Sequence, residues 1–138
     1  MALKKNKIAV GAVAYFSPVQ LSNLGLLPES ALANNTELRP YLCLATSNDM
    51  SEWYAITSKP APKRQKIESV WRSGGDYRWQ EKDQFLNDLR QGIAANDSLF
   101  IQAAANEHDF SNGRPTVLPV AIPVILDKMQ SVGGSLTL

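Results

Sequence analysis

The chain has 138 residues, a formal net charge of +1, 44% hydrophobic and 20% charged content. That is the length of one domain, able to bury about two thirds of its unfolded surface, and a composition that excludes a largely disordered or fibrous protein. No apolar run approaches the ~20 residues that span a bilayer, and a single cysteine, Cys43, excludes an internal disulfide.

The N-terminus, "MALKKNKIAVGAVAYFSP", places Lys4, Lys5 and Lys7 before a short apolar stretch. The stretch ends at Ser17-Pro18 without a small-residue cleavage site, so it reads as a basic start and a first strand over Ile8–Phe16 rather than a secretory leader. Pro18, Gly25, Pro28 and Asn34-Asn35 break the next segment, which predicts a long loop over Ser17–Leu38 with a helical turn at Glu29–Ala33. Tyr41–Ala45 is almost continuously apolar and predicts a strand buried on both faces. Ser47–Ser51 carries turn chemistry, and Trp53–Thr57 predicts the partner strand of an antiparallel hairpin.

Farther on, Ile67–Trp71 reads as another strand, stopping before Gly74-Gly75. Phe85, Leu86, Leu89 and Ile93 recur at helical spacing and predict a helix over Gln80–Ile93. Ser98–Ala103 reads as a strand and "NEHDFSNGRP" as a loop. Pro119 demotes Thr116–Ile122 to an edge strand or irregular segment. Pro123 opens a short helix over Pro123–Gln130, followed by a loose "GGSLTL" tail. The expected fold class is mainly β with one or two helices (α+β), a small, partly open barrel with helices packed beside it.

Two features carry chemistry. Lys59 to Lys82 holds Lys59, Lys63, Arg64, Lys66, Arg72, Arg78 and Lys82 against Glu68, Asp76 and Glu81, with Trp71, Tyr77 and Trp79 interleaved. Cations pair with phosphates and exposed aromatic faces stack on unpaired bases, so nucleic-acid contact through Lys59, Lys63, Arg64, Lys66, Arg72 and Arg78 is expected. The alternative is a solvated loop whose tryptophans fill the core. Cys43, mid-strand, reads as a small hydrophobe rather than a nucleophile. One Cys and one His cannot build the usual zinc sets, so no metal or cofactor is expected.

The second feature is an order of motifs: "GAVAYFSP", then "LRPYLCLATSND", then "YAITSKPAPK". This resembles the PemK/MazF family of toxin endoribonucleases of bacterial toxin–antitoxin systems, whose usual pattern is a Gly-led first strand, an "RPxLVI"-type strand and a strand closing on "PITS" or "AIT". The resemblance covers roughly residues 8 to 66. "YAITSKP" followed by lysines is also similar to the type III toxins of the same fold, which act with an RNA antitoxin. The chain departs from the pattern at Ala12, where the family often has an acidic residue.

The resemblance implies one SH3-like barrel domain over residues 1–138, usually a homodimer, working in the cytoplasm without a membrane anchor and held in check by a protein or RNA antitoxin. It implies metal-independent cleavage of single-stranded RNA by the ribose 2′-OH. By position, Arg39 matches the catalytic arginine and Thr57 the catalytic hydroxyl, with Ser58 beside it. The chemistry is coherent: a planar guanidinium suits the charge that develops on phosphate oxygens. Neither residue is a general base, a gap that His108 or a carboxylate would fill. The bland alternatives stay open, with Arg39 as a surface arginine opening a strand and Thr57 as one more β-branched strand residue. So does a non-catalytic SH3-like module, of phage or mobile-element origin, that binds nucleic acid or protein.

Overall fold

The structure is a computed structural model that describes residues 3–32, 37–105 and 113–138. It is organised around β1 (Val13–Phe16), β2 (Arg39–Ser47) and β3 (Met50–Thr57), with a helix α1 (Pro18–Asn23) between the first two. β1 pairs with β2, and β2 with β3, antiparallel throughout. The expected hairpin therefore forms, closed by Asn48-Asp49 between Ser47 and Met50. Asn48 adopts φ +55°, a left-handed conformation that Asn tolerates better than most residues. A bulge at Leu44 shifts the register by one residue between Cys43 and Ala45.

Short elements follow: β4 (Gln65–Lys66), β5 (Arg72–Ser73), helix α2 (Tyr77–Glu81), β6 (Phe85–Leu86), β7 (Ile93–Asn96), helix α3 (Asp97–Ala103), β8 (Thr116–Val117) and helix α4 (Ile122–Ser131). The outer edge of β3 is shared. β7 covers Met50–Trp53, and β6 covers Ile56–Thr57 and passes the ladder on to β4. β5 and β8 form a separate pair. The main sheet, in the order β1-β2-β3-β6-β4, does not close on itself. The mainly β, α+β, partly open fold expected from the sequence is observed, with more helix than expected.

Strand alternation sends side chains to two cores. On one face Leu42, Leu44, Tyr54 and Ile56 pack with Ile67, Trp79, Leu86 and Leu89 and with Ile125 and Met129 of α4. On the other, Phe16, Tyr41, Cys43 and Trp53 pack with Leu21 of α1 and Phe100 of α3. There the Phe16 and Trp53 rings meet edge to face at 5.0 Å, a geometry worth about 0.5–1.5 kcal/mol beyond area burial. Burial on both faces is what the continuous apolar run Tyr41–Ala45 predicts.

Several local expectations are corrected. Ser17–Leu38 is not simply a loop: the Ser17 side chain caps α1 by accepting from the Gln20 N–H, with Pro18 in the first turn. The turn at Glu29 is a 3₁₀ helix over Glu29–Leu32; residue 33 lies outside the described residues. The strand expected at Ile67–Trp71 is instead a 3₁₀ turn, Ser69–Trp71, between β4 and β5. The helix expected at Gln80–Ile93 ends at Glu81. The chain leaves the helical conformation at Lys82, which is extended (φ −81°, ψ 151°), and farther on Asp88 Oδ1 accepts from the Arg90 N–H at 2.9 Å, a local side-chain bond that competes with helix. Phe85-Leu86 becomes a strand, although Leu86 and Leu89 are core residues as their spacing suggested. Ser98–Ala103 is helical rather than extended, because Asn96 accepts from the Ser98 N–H and caps it. The helix expected at Pro123–Gln130 is present as α4.

The tail is not loose. Glu52, 1% exposed on β3, accepts from the N–H groups of Thr137 (2.8 Å) and Leu138 (3.0 Å) through Oε1. Its Oε2 accepts from the Tyr54 hydroxyl. A buried carboxylate needs such partners. Burial, together with the hydrogen bond to Glu52, pushes the Tyr54 phenol up from its ordinary value. Near the same end of the sheet, Gly11 has φ +98°, and a Cβ there would meet the Val117 carbonyl oxygen at 2.6 Å, so only glycine lets β8 approach the start of β1.

Candidate functional site

Arg39 opens β2 and Thr57 closes β3. The pairs Tyr41–Ala55, Leu42–Tyr54 and Cys43–Trp53 fix the register, and continuing it two residues past Tyr41–Ala55 sets Arg39 opposite Thr57. Directly opposite residues point to the same side of a sheet. Both side chains are half-buried and line one cleft of about 350 Å³ at that end of the sheet. Ser58, Lys59 and Arg78 line it too. Lys59 is held in place because its N–H donates to Thr57 Oγ1 at 3.3 Å. The Thr57 hydroxyl thus accepts from the backbone and keeps its own proton to donate.

The structure adds to the residues expected to contact nucleic acid. Lys82 lines the cleft, its ammonium also 6.0 Å from the centre of the exposed Tyr77 ring. Tyr15, from β1, and Glu37 line it as well. Glu37 is the carboxylate in this wall, two residues before Arg39, which is the signal that could have found it. His108, the other candidate base, lies outside the described residues.

The remaining cations divide. Lys63 and Lys66 are exposed but do not line the cleft. Arg64 and Arg72 serve the fold. Arg64 donates through Nε to the Asn87 carbonyl (3.1 Å) and through Nη1 to the Lys59 carbonyl (2.7 Å). Arg72 donates to the carbonyls of Ile67 (2.9 Å), Trp79 (3.0 Å) and Lys82 (2.6 Å), closing the C-terminal end of α2, where orphan carbonyls need donors. Its guanidinium also lies 5.9 Å from the centre of the Trp79 ring. Desolvation lowers its pKa from the ordinary value. Arg72 is therefore a cap built of side chain, and Trp79 is wholly buried rather than free to stack.

Among the described residues, no three His, Cys, Asp or Glu side chains come together as a metal site would require. Cys43 is wholly buried, and burial pushes its thiol up to about 12. A thiol so shielded is inert. The native protein is expected to leave Cys43 unmodified by a thiol reagent at pH 8, with one equivalent reacting after denaturation; rapid modification of the native protein would contradict the packing. No helix among the described residues is long and apolar enough to cross a membrane.

Comparison with protein families, curated proteins and solved structures finds no match to this chain. The likeness to the PemK/MazF toxins thus stands on the ordered motifs alone.

Proposed function

We propose that the chain is an endoribonuclease that holds a phosphodiester of single-stranded RNA in the Arg39–Thr57 cleft. The observation that carries this is the convergence of Arg39, Lys59, Arg78 and Lys82 with the hydroxyls of Thr57 and Ser58 on one small cleft whose carboxylate is Glu37. Four cations against one anion suit a polyanion, and a fork-shaped guanidinium opposite a hydroxyl suits a phosphate with two oxygens to bind.

In this reading the ribose 2′-oxygen attacks the adjacent phosphorus and its proton passes to the Glu37 carboxylate. The bond from phosphorus to the 5′-oxygen breaks, and that oxygen takes a proton from solvent. A 2′,3′-cyclic phosphate and a 5′-hydroxyl result. Arg39 and the Thr57 hydroxyl stabilise the charge that grows on the phosphate oxygens, the kind of term that dominates many rate accelerations. Ser58 adjoins Thr57 as a second donor. The metal-free course, the toxin role, a protein or RNA antitoxin, the homodimer and the SH3-like barrel are what the family resemblance adds to the reading.

The test is purified protein incubated with a single-stranded RNA, with product ends identified chemically and growth arrest followed on expression in bacteria. Cyclic phosphate and 5′-hydroxyl ends are expected. Tight binding without cutting would instead make the chain a non-catalytic RNA-binding module. The electrostatic part has its own readout. Replacing Lys59 and Lys82 together by Gln should reduce the salt dependence of single-strand binding by about 0.7 per cation, or about 1.4 in log–log slope. Arg64→Gln and Arg72→Gln should lower stability instead. An unchanged slope in the Lys59/Lys82 variant would remove the cleft from the binding surface.

A further inference from the structure

Arg39 lines a second cleft as well, also about 350 Å³. This cleft has a different chemistry. Tyr41 and Ala55 of the sheet line it together with Leu27 and Pro28, which come from the segment after α1, and Asn87 and Gln91 supply side-chain amides from the segment between β6 and β7. The wall is mixed, with apolar side chains beside Arg39, Asn87, Asp88 and Gln91, and such convergent polar groups are what fix the orientation of a bound ligand.

We infer that this second cleft is the subsite for one unpaired nucleobase next to the phosphate held by Arg39, read on its edge by Asn87 and Gln91. The inference rests on the ribonuclease reading above for the identity of the ligand. Three observations carry it. A shared arginine makes the two clefts neighbours, so a chain whose phosphate sits at Arg39 brings an attached nucleoside to the second. Side-chain amides present a donor and an acceptor side by side, the pattern that matches a base edge.

The third observation is rigidity. The Asn87 backbone is fixed on both sides: its N–H donates to the Ala55 carbonyl at 2.9 Å and its carbonyl accepts from Arg64 Nε at 3.1 Å. Asp88, also in the wall, is engaged by Arg90, with Nε donating to Oδ1 at 3.0 Å and Nη2 to Oδ2 at 3.3 Å. That pairing holds the Asp88 carboxyl below the usual carboxylate range. The backbone of this wall at Asn87 and the Asp88 carboxylate are thereby fixed before the ligand arrives, and the Asn87 and Gln91 side chains are the readers. Arg64, expected from the sequence to contact RNA, acts here on the protein instead, by holding the Asn87 carbonyl.

The experiment is cleavage of a single-stranded RNA of randomised sequence, with cut sites read by sequencing, for the wild type, Asn87→Ala and Gln91→Ala. Thermal unfolding checks that each variant is folded, and two independent variants guard against one that is not. The wild type should show a marked base preference at one position flanking the cut, and each variant should flatten that preference about tenfold. Cutting by wild type with a variant profile identical to its own would overturn the subsite and leave the nuclease reading intact. If the wild type does not cut, the nuclease reading fails. The subsite is then decided by fluorescence anisotropy with four homopolymeric single strands. A preference that Asn87→Ala removes supports it, and equal affinity for all four overturns it.

Discussion

Arg39→Ala is expected to lower the single-turnover rate of RNA cleavage by about 10² or more, the scale of losing one strong transition-state donor. Arg39→Lys should recover little of it, because an ammonium keeps the charge and loses the planar fork that binds two oxygens. The fold should survive both changes. Arg39 is the first residue of β2 and its strand pairing with Phe16 is made by backbone, which the substitution leaves in place. Thr57→Ala should be milder, since Ser58 adjoins it in the same cleft. The measurement is single-turnover cleavage alongside thermal unfolding. Equal rates for wild type and a folded Arg39→Ala would end the ribonuclease reading, whatever the protein binds.

The largest effect on stability is expected at Trp79. Its ring is wholly buried, its Nε1 donates to the Ser73 carbonyl at 3.2 Å, and it lies against Gly75, where a Cβ would come within 2.7 Å of the ring. Trp79→Ala should cost about 3–5 kcal/mol, and at roughly 2–4 °C or more per kcal/mol for a chain of this size the midpoint should fall by about 10 °C or more. Tyr77 is the control two residues away, 67% exposed on the same helix. Tyr77→Ala should change stability by no more than about 0.5 kcal/mol. If bases stack on it, the loss appears in single-strand affinity, at about 1–3 kcal/mol. A Trp79→Ala protein as stable as the wild type would show that the aromatic middle of the chain is not core.

What was legible in the sequence and what was not follows from where the information sits. The hairpin was legible because an apolar run, a turn with its own residue chemistry and a second run are all local signals. Helix α4 was legible through its proline and spacing. The short helices α1 and α3 were missed although their caps, Ser17 and Asn96, are written in the sequence; β-like composition outweighed them. The false helix over Gln80–Ile93 shows the reverse error. The helical spacing of Phe85, Leu86, Leu89 and Ile93 is spread over two strands, β6 and β7, and the segment between them; Leu86 and Leu89 belong to one core and Ile93 packs against the other, so period alone does not decide.

At the site, Arg39 and Thr57 were legible as motif residues, but their facing one another depends on register, which the bulge at Leu44 shifts by one residue; without that bulge Arg39 would lie opposite Ser58. The roles of Arg64 and Arg72 were not legible at all. Their partners are backbone carbonyls, which every residue carries, so nothing in the sequence marks them. Glu52 was equally silent: a carboxylate between Ser51 and Trp53 looks exposed until the distant groups that satisfy it are in view.

That Glu52 contact spans 85 positions in the chain, from β3 to Thr137. Many proteins fold their first-made parts while the rest is still on the ribosome. Here the central strand carries a carboxylate whose backbone donors are synthesised long after it. Until Leu138 emerges, burying β3 would strand two lone-pair sets with one phenol for company, at a cost of the order of 1–3 kcal/mol for the unmet bonds. β2 and β3, which carry Arg39 and Thr57, are therefore expected to gain their full packing only once Thr137 and Leu138 are in place.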